Sequence, residues 1–144
     1  MISPDGKWVA TASSDFTIIL WDAADGAIVR QWVAHSDSYE EPRFLAFSPD
    51  SRYLVSGGSR SSKITIWDLA QGSRQVTTLE GPPDDCKYCG WSPRNDIIAS
   101  RFLNEPLRLW DAHTFQELHA FMDPTEKKRT PDLVTFSPDG RWLV

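Results

Sequence analysis

No apolar run in this sequence exceeds five residues. A membrane-spanning helix needs roughly 20, so no membrane association is expected. Cysteine is scarce: Cys86 and Cys89 are the only two in 144 residues, too few to staple a small secreted fold. The opening Met1-Ile2-Ser3-Pro4-Asp5-Gly6 has neither the basic start nor the apolar core of a secretory signal. These absences point to an intracellular protein, cytoplasmic or nuclear. Positive charge is also in deficit. The formal net charge is −5, whereas nucleic-acid binders usually carry a basic face, so no nucleic-acid partner is expected. Helical periodicity is missing as well. No stretch of about ten residues keeps an apolar stripe at helical spacing, and prolines interrupt most candidates.

What the sequence does contain is a repeat. Ser-Pro recurs at Ser3-Pro4, Ser48-Pro49, Ser92-Pro93 and Ser137-Pro138, in steps of 45, 44 and 45. Trp-Asp recurs at Trp21-Asp22, Trp67-Asp68 and Trp110-Asp111, in steps of 46 and 43. The two signals interleave in constant order, and a period near 45 fits either paired-helix repeats or propeller blades. Local pattern separates the two. Phe44-Leu45-Ala46-Phe47 and Leu133-Val134-Thr135-Phe136 are short β-prone runs closed by turn residues. Lys63-Ile64-Thr65-Ile66-Trp67 alternates, with Lys63 and Thr65 expected on one face and Ile64 and Ile66 on the other. Further runs follow each turn, and a fourth closes each unit at residues 27–33, 75–80 and 117–122. Four strands per repeat make a propeller blade.

With its three Trp-Asp pairs, four Ser-Pro turns and the strand lengths between them, the chain resembles the WD-repeat (WD40) family over essentially its whole length. The resemblance implies an all-β fold: a partial β-propeller of four-stranded antiparallel blades, strand a innermost and strand d outermost. The expected division is a partial blade one at 1–35, blade two at 36–81, blade three at 82–123 and the start of a fourth at 124–144. It also implies a structural tetrad: the Trp of strand c, a Ser or Thr of strand b, an Asp in the b–c turn and a His before strand a. Blade one supplies Thr11, Asp15 and Trp21; blade two supplies His35, Ser56 and Trp67, with Ser61 or Ser62 where Asp is expected. Blade three supplies Ser100, Asn104 and Trp110, with Pro82 in place of His. No tetrad is complete, so the Trp N–H groups are expected to need water or to leave the blades weak, an unpartnered buried donor costing about 1–3 kcal/mol.

Residue 3 already lies in the a–b turn, so the first blade is expected to lack strand a, and Val144 falls inside strand b of a fourth. Complete propellers have four to eight blades. The expectation is a fragment of a longer product, with self-association through exposed blade edges as the alternative.

Little here suggests chemistry. Cys86-Lys87-Tyr88-Cys89 has the spacing of half a zinc site or a redox pair, but residues three apart on a strand point to opposite faces. The sulfurs should diverge unless the chain bends at Cys86. Glu40, Glu41, Asp84, Asp85 and Asp123 sit in connecting segments with no nearby nucleophile–base pairing or phosphate-cradling loop. No enzyme activity, catalytic residue, metal or cofactor is expected. The two longer d–a connections are more informative: one is acidic with a central Tyr39, the other holds Lys127-Lys128-Arg129. Insertions on a repeat scaffold often map to its binding face. The expected function is a non-catalytic scaffold binding protein or peptide partners through Asp37, Tyr39, Glu40, Arg60, Lys127 and Arg129, since Tyr and Arg favour interface hot spots. The alternatives are a purely structural piece of a larger propeller, with binding elsewhere, and part of a propeller enzyme.

Overall fold

The structure, a computed structural model, describes residues 1–34, 41–58, 62–82, 85–121 and 134–144. Among these the alternating runs form eleven strands and no helix. The strands are β1 (Trp8–Ala12), β2 (Thr17–Asp22), β3 (Ile28–Val33), β4 (Pro42–Phe47), β5 (Tyr53–Gly58), β6 (Lys63–Asp68), β7 (Arg74–Glu80), β8 (Cys86–Trp91), β9 (Ile97–Phe102), β10 (Leu107–Asp111) and β11 (Glu117–Phe121). They build three antiparallel sheets in sequence order: β1-β2-β3, β4-β5-β6-β7 and β8-β9-β10-β11. An isolated bridge joins Ile2 to Val9 of β1, and another joins Phe136 to Leu143 in the equivalent place.

Three of the four Ser-Pro turns close by the same side-chain chemistry. The Ser hydroxyl accepts the N–H of the residue five positions on: Trp8 to Ser3 at 2.9 Å, Tyr53 to Ser48 at 2.8 Å, Trp142 to Ser137 at 2.9 Å. It donates to the following Asp, from Ser3 to Asp5 at 2.7 Å and from Ser137 to Asp139 at 2.6 Å. The third turn has Arg94 where the others have Asp, and there Ser92 donates instead to Asp96 at 2.9 Å. Gly6, Ser51, Asn95 and Gly140 share one left-handed position, φ +60 to +73°, which Gly adopts freely and Asn tolerates.

The sheets stack face to face, and the middle one is covered on both sides. Ala10, Ile18, Leu20, Phe47, Leu54 and Trp67 fill the first interface. Val55, Ile64, Ile66, Leu79, Cys86, Cys89, Ile98, Phe102 and Trp110 fill the second. Leu54 and Val55 are neighbours in sequence yet serve opposite interfaces, as period-two alternation requires. Thr65 is only 4 % exposed, because its face of β6, which it shares with Trp67, also lies against another sheet.

A bulge interrupts the outer strand pair opposite each Trp. Leu20 pairs with Arg30 and Trp21 with Ile28; Ile66 pairs with Thr77 and Trp67 with Gln75; Leu109 pairs with His119 and Trp110 with Glu117. The skipped residues, Val29, Val76 and Leu118, are all exposed, as the extra residue of a bulge is left unpaired while the twist increases.

Two predictions follow from this packing. Ile66→Ala should cost about 2–5 kcal/mol in urea denaturation, whereas Val76→Lys should change stability by no more than about 0.5 kcal/mol. The turns should also make the fold acid-sensitive. Hydrogen bonds from Ser3 and Ser137 hold Asp5 and Asp139 below their ordinary value of 3.8. At Asp50 burial pushes upward, but the bonds from Ser48, the Arg52 N–H and Asn95 outweigh it. A carboxylate lowered in the folded state stabilises at neutral pH and loses that contribution as pH falls below the ordinary value and through the lowered one. The thermal midpoint should therefore drop on acidification below pH 3.8, and less steeply in Asp50→Asn.

Candidate functional site

The recurring Trp-Asp pair divides two tasks. Trp21 Nε1 donates to Thr11 Oγ1 at 2.8 Å, Trp67 Nε1 to Ser56 Oγ at 2.9 Å, and Trp110 Nε1 to Ser100 Oγ at 2.8 Å. Each indole N–H thus finds a hydroxyl on strand b of its own sheet, which corrects the expectation that these donors need water. The Asp of each pair caps the next turn. Asp22 accepts the Ala24 N–H at 2.8 Å, Asp68 accepts Ala70 and Gln71, and Asp111 accepts His113 and Thr114 at 2.9 and 2.7 Å.

The remaining tetrad positions behave differently. Asp15 accepts both the hydroxyl (2.6 Å) and the N–H (3.0 Å) of Thr17, capping its own b–c turn. Asn104 is exposed in the left-handed region at φ +58°. The Ser62 carbonyl accepts the Gly81 N–H, Pro82 is half-buried, and His35 and Ser61 lie outside the described residues. Two other indoles, those of Trp32 and Trp91, have no hydrogen-bond partner among the described residues. Trp91 stands where the neighbouring repeats have Phe47 and Phe136.

At the a–b and c–d end of the sheets, Arg52 lies 4.9 Å over the Tyr53 ring, and Tyr53 stacks on Trp91 at 5.9 Å and meets the edge of Phe115 at 6.4 Å. Arg52 also bridges to Asp68 at 3.0 Å. A cavity of about 330 Å³ opens here beside Gln71 and Arg74. The turns are tied across sheets: the Asp5 N–H donates to Ser51 Oγ at 3.1 Å, and Asn95 Nδ2 to Asp50 at 3.1 Å. No pattern in the sequence announced this aromatic stack, because its members come from three separate elements.

The cysteines depart from expectation. Cys86 pairs with Phe102 and Tyr88 with Arg101, so Lys87 is the extra residue of a bulge. Both sulfurs consequently enter the same interface, beside Gly57 of the neighbouring sheet. The hydrogen bond with Cys86 and burial push the Cys89 thiol up. Burial, followed by the proximity of Cys89, pushes Tyr88 up to about 12.

Among the carboxylates weighed for chemistry, Glu41 lies 3.5 Å from Arg43 and Asp85 3.1 Å from Lys87. Glu40, Asp84 and Asp123 lie outside the described residues. Among the described residues no group of three or more His, Cys, Asp or Glu side chains could hold a metal ion, and there is no helix long and apolar enough to cross a membrane. Asp37, Tyr39, Glu40, Arg60, Lys127 and Arg129, the expected partner-binding residues, all lie outside the described residues. The described residues that flank these segments lie at one end of the sheets, where Val33 pairs with Thr17, Pro42 with Gly58 and Leu107 with Phe121.

The family model for the WD domain, G-beta repeat, matches residues 1–22 and 26–68. These residues are WD40 repeats, and the chain folds as part of a WD40 propeller. Among solved structures it resembles U3-55K and the RRP9 WD40 repeats, each with a TM-score of 0.77 and 22% identity. The match covers 88% of this chain and 39% and 38% of theirs. The chain is 30% identical to the serine-threonine kinase receptor-associated protein of Gallus gallus, over 99% of this chain and 38% of that protein. It is 29% identical to protein hir-1 of Neurospora crassa, over 81% of this chain and 14% of that one. It is 27% identical to WD repeat and SOCS box-containing protein 1 of Xenopus tropicalis, over 74% and 25%. The chain therefore spans well under half the length of these relatives, and none of their names denotes an enzyme.

The WD40 lock makes its own predictions. Ser56→Ala strands the Trp67 donor in a buried site and should cost about 1–3 kcal/mol; Thr11→Ala should cost less, because its bond is exposed. Asn104→Gly separates two roles. A turn residue at positive φ should be neutral or stabilised by up to about 1 kcal/mol, whereas a tetrad member should lose stability. Trp91→Phe removes an unpartnered donor and restores the residue of neighbouring blades, so chemical denaturation should find it within about 1 kcal/mol of the parent.

Proposed function

We propose that the chain is a non-catalytic scaffold of WD40 repeats that binds protein or peptide partners through its d–a and b–c loops. One observation carries this reading. The sheets are stacked and mutually covered, and the described residues that flank the acidic segment around Tyr39, the segment of Arg60 and the basic segment of Lys127 and Arg129 lie at one end of them. Rigid elements presenting variable loops are the usual way repeat scaffolds bind. Charges of opposite sign on one rim suit a partner with a complementary mixed surface, through steering as well as contact. The relatives, WD-repeat proteins without enzyme names, support a binding role. The compartment in keeping with this reading is intracellular, cytoplasmic or nuclear.

A second reading rests on a different observation. Strand β11 is exposed at every residue, and Phe121, Trp142 and Val144 are 53, 70 and 78% exposed. Apolar faces of this kind are covered by adjacent blades in a closed ring. The repeats then complete a larger propeller and binding lies elsewhere, or copies associate through these edges. Partner capture in cell extract, compared between the parent sequence and Glu40→Lys or Lys127→Glu, separates the two readings. The rim reading expects a several-fold loss of capture at an unchanged melting temperature. Equal capture by both variants would sink it.

A further inference from the structure

β8 opens with Cys86-Lys87-Tyr88-Cys89, a motif for which the scaffold reading has no use. Both cysteines are free thiols. The bulge at Lys87 turns their sulfurs into one interface, where the residues are 1 and 5% exposed. It also shortens the span between them. Cys86 stands opposite Phe102 and Cys89 opposite Ser100, and two residues of strand cover about 6.7 Å. That spacing lies at the upper end of the roughly 4.4–6.8 Å between Cα atoms that a disulfide bridges. Three residues of unbulged strand would overshoot it by about 3 Å. The two thiols are hydrogen-bonded to one another, and the Gly57 N–H of the neighbouring sheet is directed at the Cys89 sulfur. A Cβ at Gly57 would lie 2.8 Å from Cys86 Sγ and 3.7 Å from Cys89 Sγ, so the position facing the pair brings no side chain against it. The fold does not demand sulfur here. The middle sheet makes the same bulge with Pro42 and Leu45 at the equivalent positions.

We propose that Cys86 and Cys89 are a reversible dithiol–disulfide pair, a redox-dependent staple across the bulge that opens β8. The pair stands apart from the rim loops, so the proposal does not depend on where partners bind. A disulfide suits this interface because it carries no charge and replaces two buried S–H groups by one apolar bond. It needs no cavity, since closing it draws together two sulfurs already in hydrogen-bond contact. The reaction is exchange with a small-molecule disulfide. One cysteine thiolate attacks a sulfur of the reagent and expels a thiolate. The second cysteine attacks the resulting mixed disulfide and expels the other. One S–S bond breaks and one forms, two electrons pass to the reagent, and the two cysteine protons end on the two released thiols. The hydrogen bond with Cys86 and burial push the Cys89 thiol up. Exchange therefore runs through local opening at the start of β8 and takes on the order of hours.

The test is an equilibrium titration of the 144-residue chain in glutathione redox buffers, in native buffer and in concentrated urea. Intact mass after acid trapping reads the result: the bridged chain is two hydrogens lighter and takes up no alkylating reagent once unfolded. The equilibrium constant for the bridge should be about tenfold or more higher in the native chain than in the urea-unfolded one. The bridged chain should melt a few degrees above the reduced chain, with an unchanged far-ultraviolet strand spectrum. The Cys86→Ala/Cys89→Ala variant should melt at one temperature in oxidising and reducing buffer alike. A native constant equal to or below the unfolded one would overturn the proposal. Glutathione adducts in place of the bridge, or a lower melting temperature on oxidation, would do the same. If the alanine variant does not fold, the comparison of native and unfolded parent chain decides alone.

Discussion

Mutual coverage of the sheets is the constraint on which the rest of this structure depends. A four-stranded sheet with apolar residues on both faces cannot stand in water, and β5 and β6 are buried along almost their whole length. Leu54 and Val55 show the consequence most directly, because adjacent residues must satisfy two different neighbours. Any substitution in the middle sheet is thus felt at an interface. The outer bulge residues Val29, Val76 and Leu118 escape this constraint because they are exposed.

The Trp-Asp pair serves this stacking in two ways. The indole fills the interface toward the preceding sheet, as Trp67 does beside Trp32 at 5.7 Å. Its N–H must then be satisfied within its own sheet, and the hydroxyl of strand b does so. The Asp next to it sets the turn that leads to the outer strand. Trp21 makes the same bond but stays half-exposed, since no sheet covers that face among the described residues. Location in the stack, rather than the bond itself, decides how much each lock contributes.

Much of the fold was legible because its signals are local. Ser-Pro turns, Trp-Asp pairs and period-two runs depend on residues within a few positions of one another, so the repeat and the strands could be read directly, whereas the Ser and Thr positions facing each Trp came from the resemblance to the WD-repeat family. The candidate site was less legible. Asp15 accepts hydrogen bonds within its own turn and Asn104 stands at positive φ, features that the resemblance to a tetrad did not indicate. At the third turn Arg94 stands where the other turns have Asp, and Asp96 makes the contact from two residues away. The cysteines were misplaced because alternation along a strand holds only while the register does, and one inserted residue at Lys87 reverses it.

The sequence by itself determined the repeat unit, its strand order and the chemistry of its turns, since each is set by short-range hydrogen bonding and backbone preference. Tertiary structure alone decided which faces are covered, where Tyr53 meets Trp91 and Phe115, and that Cys86 and Cys89 share one interface with Gly57. Those arrangements depend on the register between strands and the stacking between sheets. Neither is fixed by neighbours in the chain.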